Sequence, residues 1–205
     1  MRIGIVSDIH GNAAGLAAAL ARMGDVDELL CAGDLVEEFR FSNETVAMLR
    51  DRGARCVVGN HDVGLLSAHG ARARSAASVE AGLVSWLAAQ PDRLDVQVGG
   101  KRLVMTHASP CTPGFPYVLP HSAEFRRIAE IDADFVVIGH THQQVVARVG
   151  RPLVINPGSV GQARDPHNGR QLSYAVLDVA SDQVEIDDFV VESPDRHAPL
   201  CDAGG

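Results

Sequence analysis

The 205-residue sequence lacks the features that mark exported, membrane or disulfide-rich proteins. No stretch reaches the roughly 18 uninterrupted apolar residues of a membrane span, and no basic segment followed by an apolar one stands at the N-terminus. No C-x-x-C pair is present, which speaks against a thiolate zinc site and favours reduced thiols. The four cysteines are Cys31, Cys56, Cys111 and Cys201. We therefore predict a soluble, cytoplasmic protein without a membrane partner.

Basic residues are also scarce, since 18 Lys and Arg stand against 26 Asp and Glu, for a formal net charge of -8. This balance argues against duplex nucleic acid as a partner. With 46% apolar and 21% charged residues the chain can bury a core, which excludes a disordered polypeptide. We predict one domain over residues 1–193 and a flexible tail over 194–205, where two prolines and a terminal Gly-Gly pair stand. The oligomeric state stays open.

The first half of the chain alternates between strand and helix patterns. Strands are predicted at 2–6, 28–32 and 54–58, with helices at about 13–23 and 43–52, which favours a parallel sheet. One short and one longer helix are predicted between residues 61 and 90. Beyond them, three hairpins are predicted from strands at 94–98 with 102–106, 143–149 with 152–155, and 173–179 with 183–191. The whole predicts an α/β fold with antiparallel additions.

Five apolar runs end in side chains that can bind metals. In open α/β sheets such side chains converge beyond the carboxyl ends of the strands. Each motif alone has an ordinary structural explanation, but five together predict a metal site. Two carboxylates, one amide oxygen and four imidazoles suit Mn, Fe, Zn or Ni and exceed the needs of one ion. The predicted ligands are Asp8, His10, Asp34, Asn60, His107, His140 and His142.

Two divalent or trivalent ions roughly 3.5 to 4 Å apart, sharing Asp34, could orient a hydroxide and clamp a phosphoryl group. Phosphoester hydrolysis is therefore the chemistry that the donor set favours. Glycines precede Asp34, Asn60 and His140, and they permit tight turns and close backbone approach at these positions.

The motifs, in this order, resemble the set of the calcineurin-like metallophosphoesterase superfamily. The Asn-Pro-Gly-Ser-Val-Gly-Gln run at 156–162 is similar to that of a small bacterial branch described as related to diadenosine tetraphosphatases. The resemblance implies a four-layer αββα sandwich of two mixed β-sheets flanked by helices. It also implies one metal on Asp8, His10, Asp34 and His142 and a second on Asp34, Asn60, His107 and His140.

The same resemblance implies that His61 lies beside the metals and acts on the phosphoryl oxygens or protonates the leaving oxygen. Asp62 or Glu37 is expected to orient it. The protein Ser/Thr phosphatase branch carries an Asp and an Arg where this chain has Glu37 and Glu38. Replacing that Arg removes a cation that would attract phosphate, which argues against a protein phosphatase.

Two long irregular stretches, 108–121 and 158–170, are expected to form loops, and long ordered loops are often functional. Arg164, His167 and Arg170 are candidate phosphate-binding residues or members of a solvated loop. Phe115 and Tyr117 could stack on a nucleobase or pack under a Pro-rich loop.

The resulting hypothesis is a metal-dependent hydrolase of phosphodiesters or nucleotides, in which a metal-bridging hydroxide attacks phosphorus in line. The alternatives are a phosphomonoesterase or protein phosphatase using the same site, and a catalytically silent scaffold or sensor that keeps the metals.

Overall fold

The computed structural model describes residues 1–191, so the predicted tail at 194–205 and the end of the predicted domain lie outside the described residues. Within this range ten strands form two sheets of five. The strands are β1 (Arg2–Val6), β2 (Glu28–Cys31), β3 (Arg55–Cys56), β4 (Arg93–Val98), β5 (Lys101–Thr106), β6 (Phe135–Val137), β7 (Gln144–Arg148), β8 (Leu153–Pro157), β9 (Leu172–Asp178) and β10 (Gln183–Phe189). The helices are α1 (Ala13–Met23), α2 (Asn43–Asp51), α3 (Asn60–Leu66), α4 (Ala71–Arg74), α5 (Ala81–Ala88) and α6 (Ala123–Arg127), with a 3-10 turn at Ile128–Glu130.

Both sheets mix parallel and antiparallel strands. The first has the order β10-β9-β1-β2-β3, and the second has the order β4-β5-β6-β8-β7. Strands β1, β2 and β3 run parallel to one another, as do β5, β6 and β8. The three predicted hairpins are confirmed as β4-β5, β7-β8 and β9-β10. The parallel strands therefore deliver their carboxyl ends to one edge of each sheet.

Successive side chains of each strand point to opposite faces of its sheet, so each sheet has an inner and an outer apolar face. Ile3 and Ile5 of β1 pack against Met105 and Phe135 of the second sheet, which forms an apolar core between the sheets. The outer face of the first sheet packs on α1, α2 and α5. The outer face of the second sheet packs around Phe125 of α6. The predicted four-layer αββα sandwich is thus confirmed.

The region between residues 61 and 90 differs from the sequence prediction. Instead of one short and one longer helix it contains α3, α4 and α5. The chain turns back at Gly70, where a side chain would collide with the Leu65 backbone. The Arg74 guanidinium then donates to the Ser67 carbonyl at 2.7 Å, fastening α4 to the end of α3. This tertiary contact divides a segment whose Ala-rich composition favours longer helices.

Within residues 1–191, no helix has the length and apolar character that crossing a bilayer requires.

Candidate metal centre

The ends of the strands bring the predicted ligands together. Asp8 and His10 follow β1, Asp34 follows β2, and His107 follows β5. Asn60 opens α3, while His140 and His142 follow β6. The two sheets meet here, because Asp8 Oδ1 lies 3.4 Å from His142 Nε2 and Asp34 Oδ2 lies 3.3 Å from His107 Nε2.

The backbone at this edge is bent in an uncommon way. Among residues 1–191, seven non-glycine residues have positive φ, and five of them are predicted ligands. Such left-handed conformations are unfavourable and persist where the surrounding structure enforces them. Here the N–H groups of Ile9 and His10 both donate to the Asp34 carbonyl, at 2.8 and 2.9 Å. The five are Asp8 (53°), His10 (49°), Asp34 (54°), His140 (67°) and His142 (57°).

One half of the cluster contains Asp8, His10 and His142. The Nε2 atoms of His10 and His142 lie 3.1 Å apart. The Nδ1–H of His142 donates to the Gln162 carbonyl at 3.2 Å, so its Nε2 presents a lone pair to the cluster. Two imidazole nitrogens about 2.1 Å from one ion come this close together. This half could therefore hold a metal.

The other half contains Asn60, His107 and His140. The Nδ1–H of His107 donates to the Ala32 carbonyl at 2.7 Å. Its Nε2 faces two acceptors, Asn60 Oδ1 at 3.1 Å and Asp34 Oδ2 at 3.3 Å. When His107 Nε2 carries no proton, these three atoms offer lone pairs to one cation. Asp34 and His107 also form a group with His140 that could hold a metal.

Unpartnered polar atoms test whether metals fit. Within residues 1–191, four buried side-chain atoms have no hydrogen-bond partner. Buried polar atoms are normally paired, so a concentration of exceptions at one place indicates a missing partner. Two of the four, Asp8 Oδ1 and His140 Nε2, are atoms of predicted ligands, one in each half of the cluster, whereas His10 Nδ1 lies 3.6 Å from Glu37 Oε1 and the fourth atom is Gln162 Oε1. The residues present therefore fit metal ions.

Burial sets the charge state of several ligands. It lowers the pKa of His10 to about 3 and the pKa values of His140 and His142 to about 4. Neutral imidazoles are the form that binds metals. Burial also raises the pKa of Asp8 to about 7, because its carboxylate is withdrawn from water.

Asp34 and His107 behave as a charged pair. Burial opposes the ionised form of Asp34, but the neighbouring His107 lowers the carboxyl pKa to about 2. Burial likewise opposes the protonated form of His107, but Asp34 raises its pKa to about 9. A metal at this position would take the place of the His107 proton.

His61 lies beside the first half of the cluster. Its ring packs edge-on against His10, with centroids 4.7 Å apart. Glu37 Oε2 lies 3.4 Å from His61 Nδ1, and Glu37 Oε1 accepts a 2.8 Å hydrogen bond from Gln162 Nε2. Glu37 therefore stands between Gln162 and His61.

Asp62, the other residue expected to orient His61, has different partners. Its Oδ1 accepts from the backbone N–H groups of Leu35 and Val36 at 2.9 and 3.1 Å. Its Oδ2 accepts from Gly59 N–H at 2.8 Å, the reach-back bond of a helix N-terminus. Asp62 thus ties the loop after β2 to the start of α3 rather than bonding to His61, whose Nδ1 accepts from the Glu38 N–H at 3.3 Å and lies beside Glu37.

Glycines allow the close approaches that the sequence predicts. A Cβ at Gly59 would collide with the Asp34 carboxylate, and one at Gly139 would collide with the Ser7 hydroxyl. Because the chain has no side chain at either position, the loops after β3 and β6 can close around Asp34 and Asp8.

Sequence reasoning missed the residues that hold the ligands in place. The Ser7 hydroxyl donates to Asp8 Oδ2 at 2.6 Å. The Ser159 hydroxyl donates to the Asp8 carbonyl at 2.7 Å, and Asn156 Nδ2 donates to the Gly139 carbonyl at 2.9 Å. For Asn156 and Ser159 the available signal was the 156–162 run, which begins at the end of β8 and carried a family resemblance but no assigned chemistry.

The 108–121 loop carries its aromatic residues to the cluster. The Tyr117 ring stacks on His140, with centroids 4.4 Å apart and planes 23° apart, yet Tyr117 is 63% exposed. The Phe115 ring lies 5.9 Å from the His107 ring. The alternative of packing beneath the loop is wrong for Tyr117, since its side chain faces solvent.

The three candidates in the 158–170 loop occupy different places. Burial chiefly lowers the pKa values of His10 and His142, and the nearby charge of Arg164 lowers both further, so Arg164 lies near the cluster. His167 bonds to Asp165 at 3.0 Å. Arg170 borders a groove formed with Leu172 and residues at the end of β10. The loop therefore brings one of its three candidates to the metal ligands.

The chain is similar to known proteins over most of its length. A family model described as the calcineurin-like phosphoesterase superfamily domain matches residues 1–182. An uncharacterized protein of Methanocaldococcus jannaschii is 28% identical over 214 residues, which cover 90% of this chain and 85% of that protein. The crystal structure of a metallophosphoesterase from Sphaerobacter thermophilus has a TM-score of 0.72 and 27% identity, covering 93% of this chain and 89% of the other.

A symmetrical bis(5'-nucleosyl)-tetraphosphatase of Paracidovorax citrulli is 33% identical over 144 residues, or 60% of this chain and 51% of that protein. The chain thus matches about half the length of this relative.

Proposed function

Because the chain belongs to the calcineurin-like phosphoesterase superfamily and is a hydrolase of phosphate esters, we propose that it binds two metal ions and cleaves phosphodiesters or nucleotides. The observation that carries the proposal is the position of Asp34. Its Oδ2 lies 3.8 Å from His10 Nε2 in one half of the cluster and 3.3 Å from His107 Nε2 in the other. This position supports the proposal that one carboxylate is shared by two ions.

The assignment of ligands follows the two halves. One ion is assigned to Asp8, His10, Asp34 and His142, and the other to Asp34, Asn60, His107 and His140. When bound, the two ions would supply an activated water and neutralise charge on the phosphoryl oxygens. The donor set suits Mn, Fe, Zn or Ni and is compatible with each of them.

The role assigned to His61 is to donate a proton to the leaving oxygen. The Glu38 N–H donates to Nδ1 at 3.3 Å, and Glu37, held by Gln162, lies beside the same atom, so Nε2 is left to face the substrate with its proton. His61 is fixed from a second side, because its backbone N–H donates to Asp34 Oδ1 at 2.9 Å. This hydrogen bond supports the assignment, because it links the proposed acid to the proposed shared carboxylate.

The surroundings of the cluster favour a substrate with a ring. Exposed Tyr117 and Phe115 stand beside His140 and His107, where they can stack on a base. Arg164 supplies a cation near His10 and His142. The relatives named as dinucleoside tetraphosphatases support nucleotides as the substrate class.

The test uses metal-stripped protein, with and without manganese, and two substrates that release nitrophenolate. We expect manganese-dependent hydrolysis, faster with bis-p-nitrophenyl phosphate than with p-nitrophenyl phosphate. The reverse ratio would indicate a monoesterase. Absence of turnover with both substrates, while two ions are bound, would contradict the proposal and favour a scaffold or sensor.

A further inference from the structure

A cavity of about 470 Å³ lies under the 108–121 loop, beside His107. Its volume falls within the about 300–1,000 Å³ typical of small-molecule sites. Much of its wall is apolar or aromatic, and this wall is formed by Val58, Val63, Pro110, Pro113 and Phe115.

The cavity adjoins the Asn60 and His107 half of the metal centre. Val63 follows Asn60 by three residues on α3, so both side chains occupy the same face of the helix. Asn60 Oδ1 in turn lies 3.1 Å from His107 Nε2. His61, by contrast, packs against His10 in the other half. A phosphodiester at the metals could therefore place its leaving oxygen at His61 and its second substituent in the cavity.

Three polar side chains of the cavity wall already have partners in the protein, and the exposed Asp92 carboxylate also lines the cavity. The Thr106 hydroxyl donates to the Ala108 carbonyl at 3.1 Å, and the Ser109 hydroxyl donates to Glu124. Arg93 Nη1 donates to the Pro110 carbonyl at 3.2 Å. The Thr106 and Ser109 hydroxyls therefore have little capacity left for reading hydrogen-bond patterns, so the apolar part of the wall selects by shape and apolar contact.

We propose that this cavity holds the organic group that stays on phosphorus after hydrolysis, and that it takes a flat, uncharged ring of the nucleobase or nitrophenyl class with little discrimination among rings. The inference rests on the proposed phosphodiester hydrolysis and adds the location and chemistry of the subsite that makes a diester preferable to a monoester.

The kinetic test keeps the leaving group constant and changes the retained group. Bis-p-nitrophenyl phosphate retains a nitrophenyl group, whereas methyl p-nitrophenyl phosphate retains a methyl group. For the wild-type protein we expect a KM about tenfold lower for the former, the gain expected from burying a ring. Val63→Trp fills the cavity and should abolish this difference by raising the KM of the bis ester.

The matched control is Val146→Trp. Val63 and Val146 are 43% and 44% exposed, and Val146 lies on β7 at the opposite edge of the second sheet from β4 and β5. The control should keep the tenfold difference. Loss of activity with both esters in Val63→Trp, or an unchanged KM ratio, would overturn the subsite.

A binding measurement separates this inference from the proposed function. Calorimetry on manganese-loaded protein measures the binding of phenylphosphonate and of methylphosphonate. Neither compound has an ester bond, so the measurement does not depend on turnover. We expect about tenfold tighter binding of phenylphosphonate to the wild type and equal binding to Val63→Trp. Equal binding to the wild type would refute the subsite. Absence of turnover together with the expected binding difference would instead refute the hydrolytic function and leave only a ring-binding cavity beside the metal ligands.

Discussion

The two halves of the candidate metal centre have similar ligand atoms but different surrounding residues. In each half imidazole Nε2 atoms face carboxylate oxygens, and a backbone carbonyl fixes one ring through Nδ1. Behind His10 and His142, however, stand Gln162, Glu37 and His61, whereas behind His107 and His140 stand Phe115, Tyr117 and the cavity. The proposed function assigns the proton donor to the first half and the binding of a ring to the second.

Under this proposal the two halves have different roles in the reaction. The polar surroundings of the first half are linked by hydrogen bonds over long sequence separations, such as the 125 residues between Glu37 and Gln162. The aromatic surroundings of the second come from one loop. Variants of the first half should therefore change the chemical step, and variants of the second should change substrate binding.

The largest effect is expected from a substitution at Asp34, the residue that lies between the two halves. Asp34→Asn removes the charge of the shared carboxylate, so both sites should weaken together and turnover should fall by about 10³-fold. Metal analysis after desalting should find fewer than two ions per chain. Two tightly held ions in this variant would show that the halves do not depend on Asp34.

A variant of the proton-holding half should separate chemistry from metal binding. His61→Ala is expected to retain its metals but lose about 10²-fold in turnover, because the ring is assigned to the leaving oxygen. His69→Ala, at an exposed histidine, serves as the control. Loss of metal from His61→Ala would refute the assignment.

A smaller effect is expected from Gln162, which contacts Glu37, the residue beside His61. Gln162→Leu removes the hydrogen bond to Glu37 but keeps the backbone carbonyl that fixes His142. Turnover should fall about tenfold, the low end for groups that orient catalytic residues, with metal content and KM unchanged. Gln97→Leu, at an exposed position on β4, should match the wild type. A raised KM in Gln162→Leu would place Gln162 in substrate binding instead.

The smallest effect belongs to the aromatic half. Tyr117→Ala should raise the KM of a nucleotide diester about fivefold and leave kcat unchanged, since stacking on a base contributes about 1–3 kcal/mol. Tyr117→Phe keeps the ring and should restore the KM. A fall in kcat alone would contradict the division between the halves.

Much of this arrangement follows from local sequence patterns. Apolar runs ending in Asp8, Asp34 or His107 predict strand ends, and strand ends predict convergence, so the ligand cluster could be anticipated, whereas the sandwich of two mixed sheets followed from the family resemblance. The role of Asp62 could not, because its spacing after His61 suits a partner of that ring as well as a cap at Gly59. Only the folded helix N-terminus decides between them.

The loops were less predictable because no periodicity governs them. His167 and Arg170 have phosphate-binding chemistry but lie against Asp165 and a groove near β10. Gln162, in the same loop, lacks such chemistry but contacts both His142 and Glu37. Contacts between chain segments so far apart depend on the packed fold and leave no mark in the local sequence.

The most direct test of a two-ion hydrolase built on a shared Asp34 is a manganese titration of metal-stripped protein. Bound metal and nitrophenolate release from bis-p-nitrophenyl phosphate are followed together. The proposed function predicts no turnover without metal and full turnover only as binding approaches two ions per chain. Full turnover without added metal, or saturation at one ion, would contradict it.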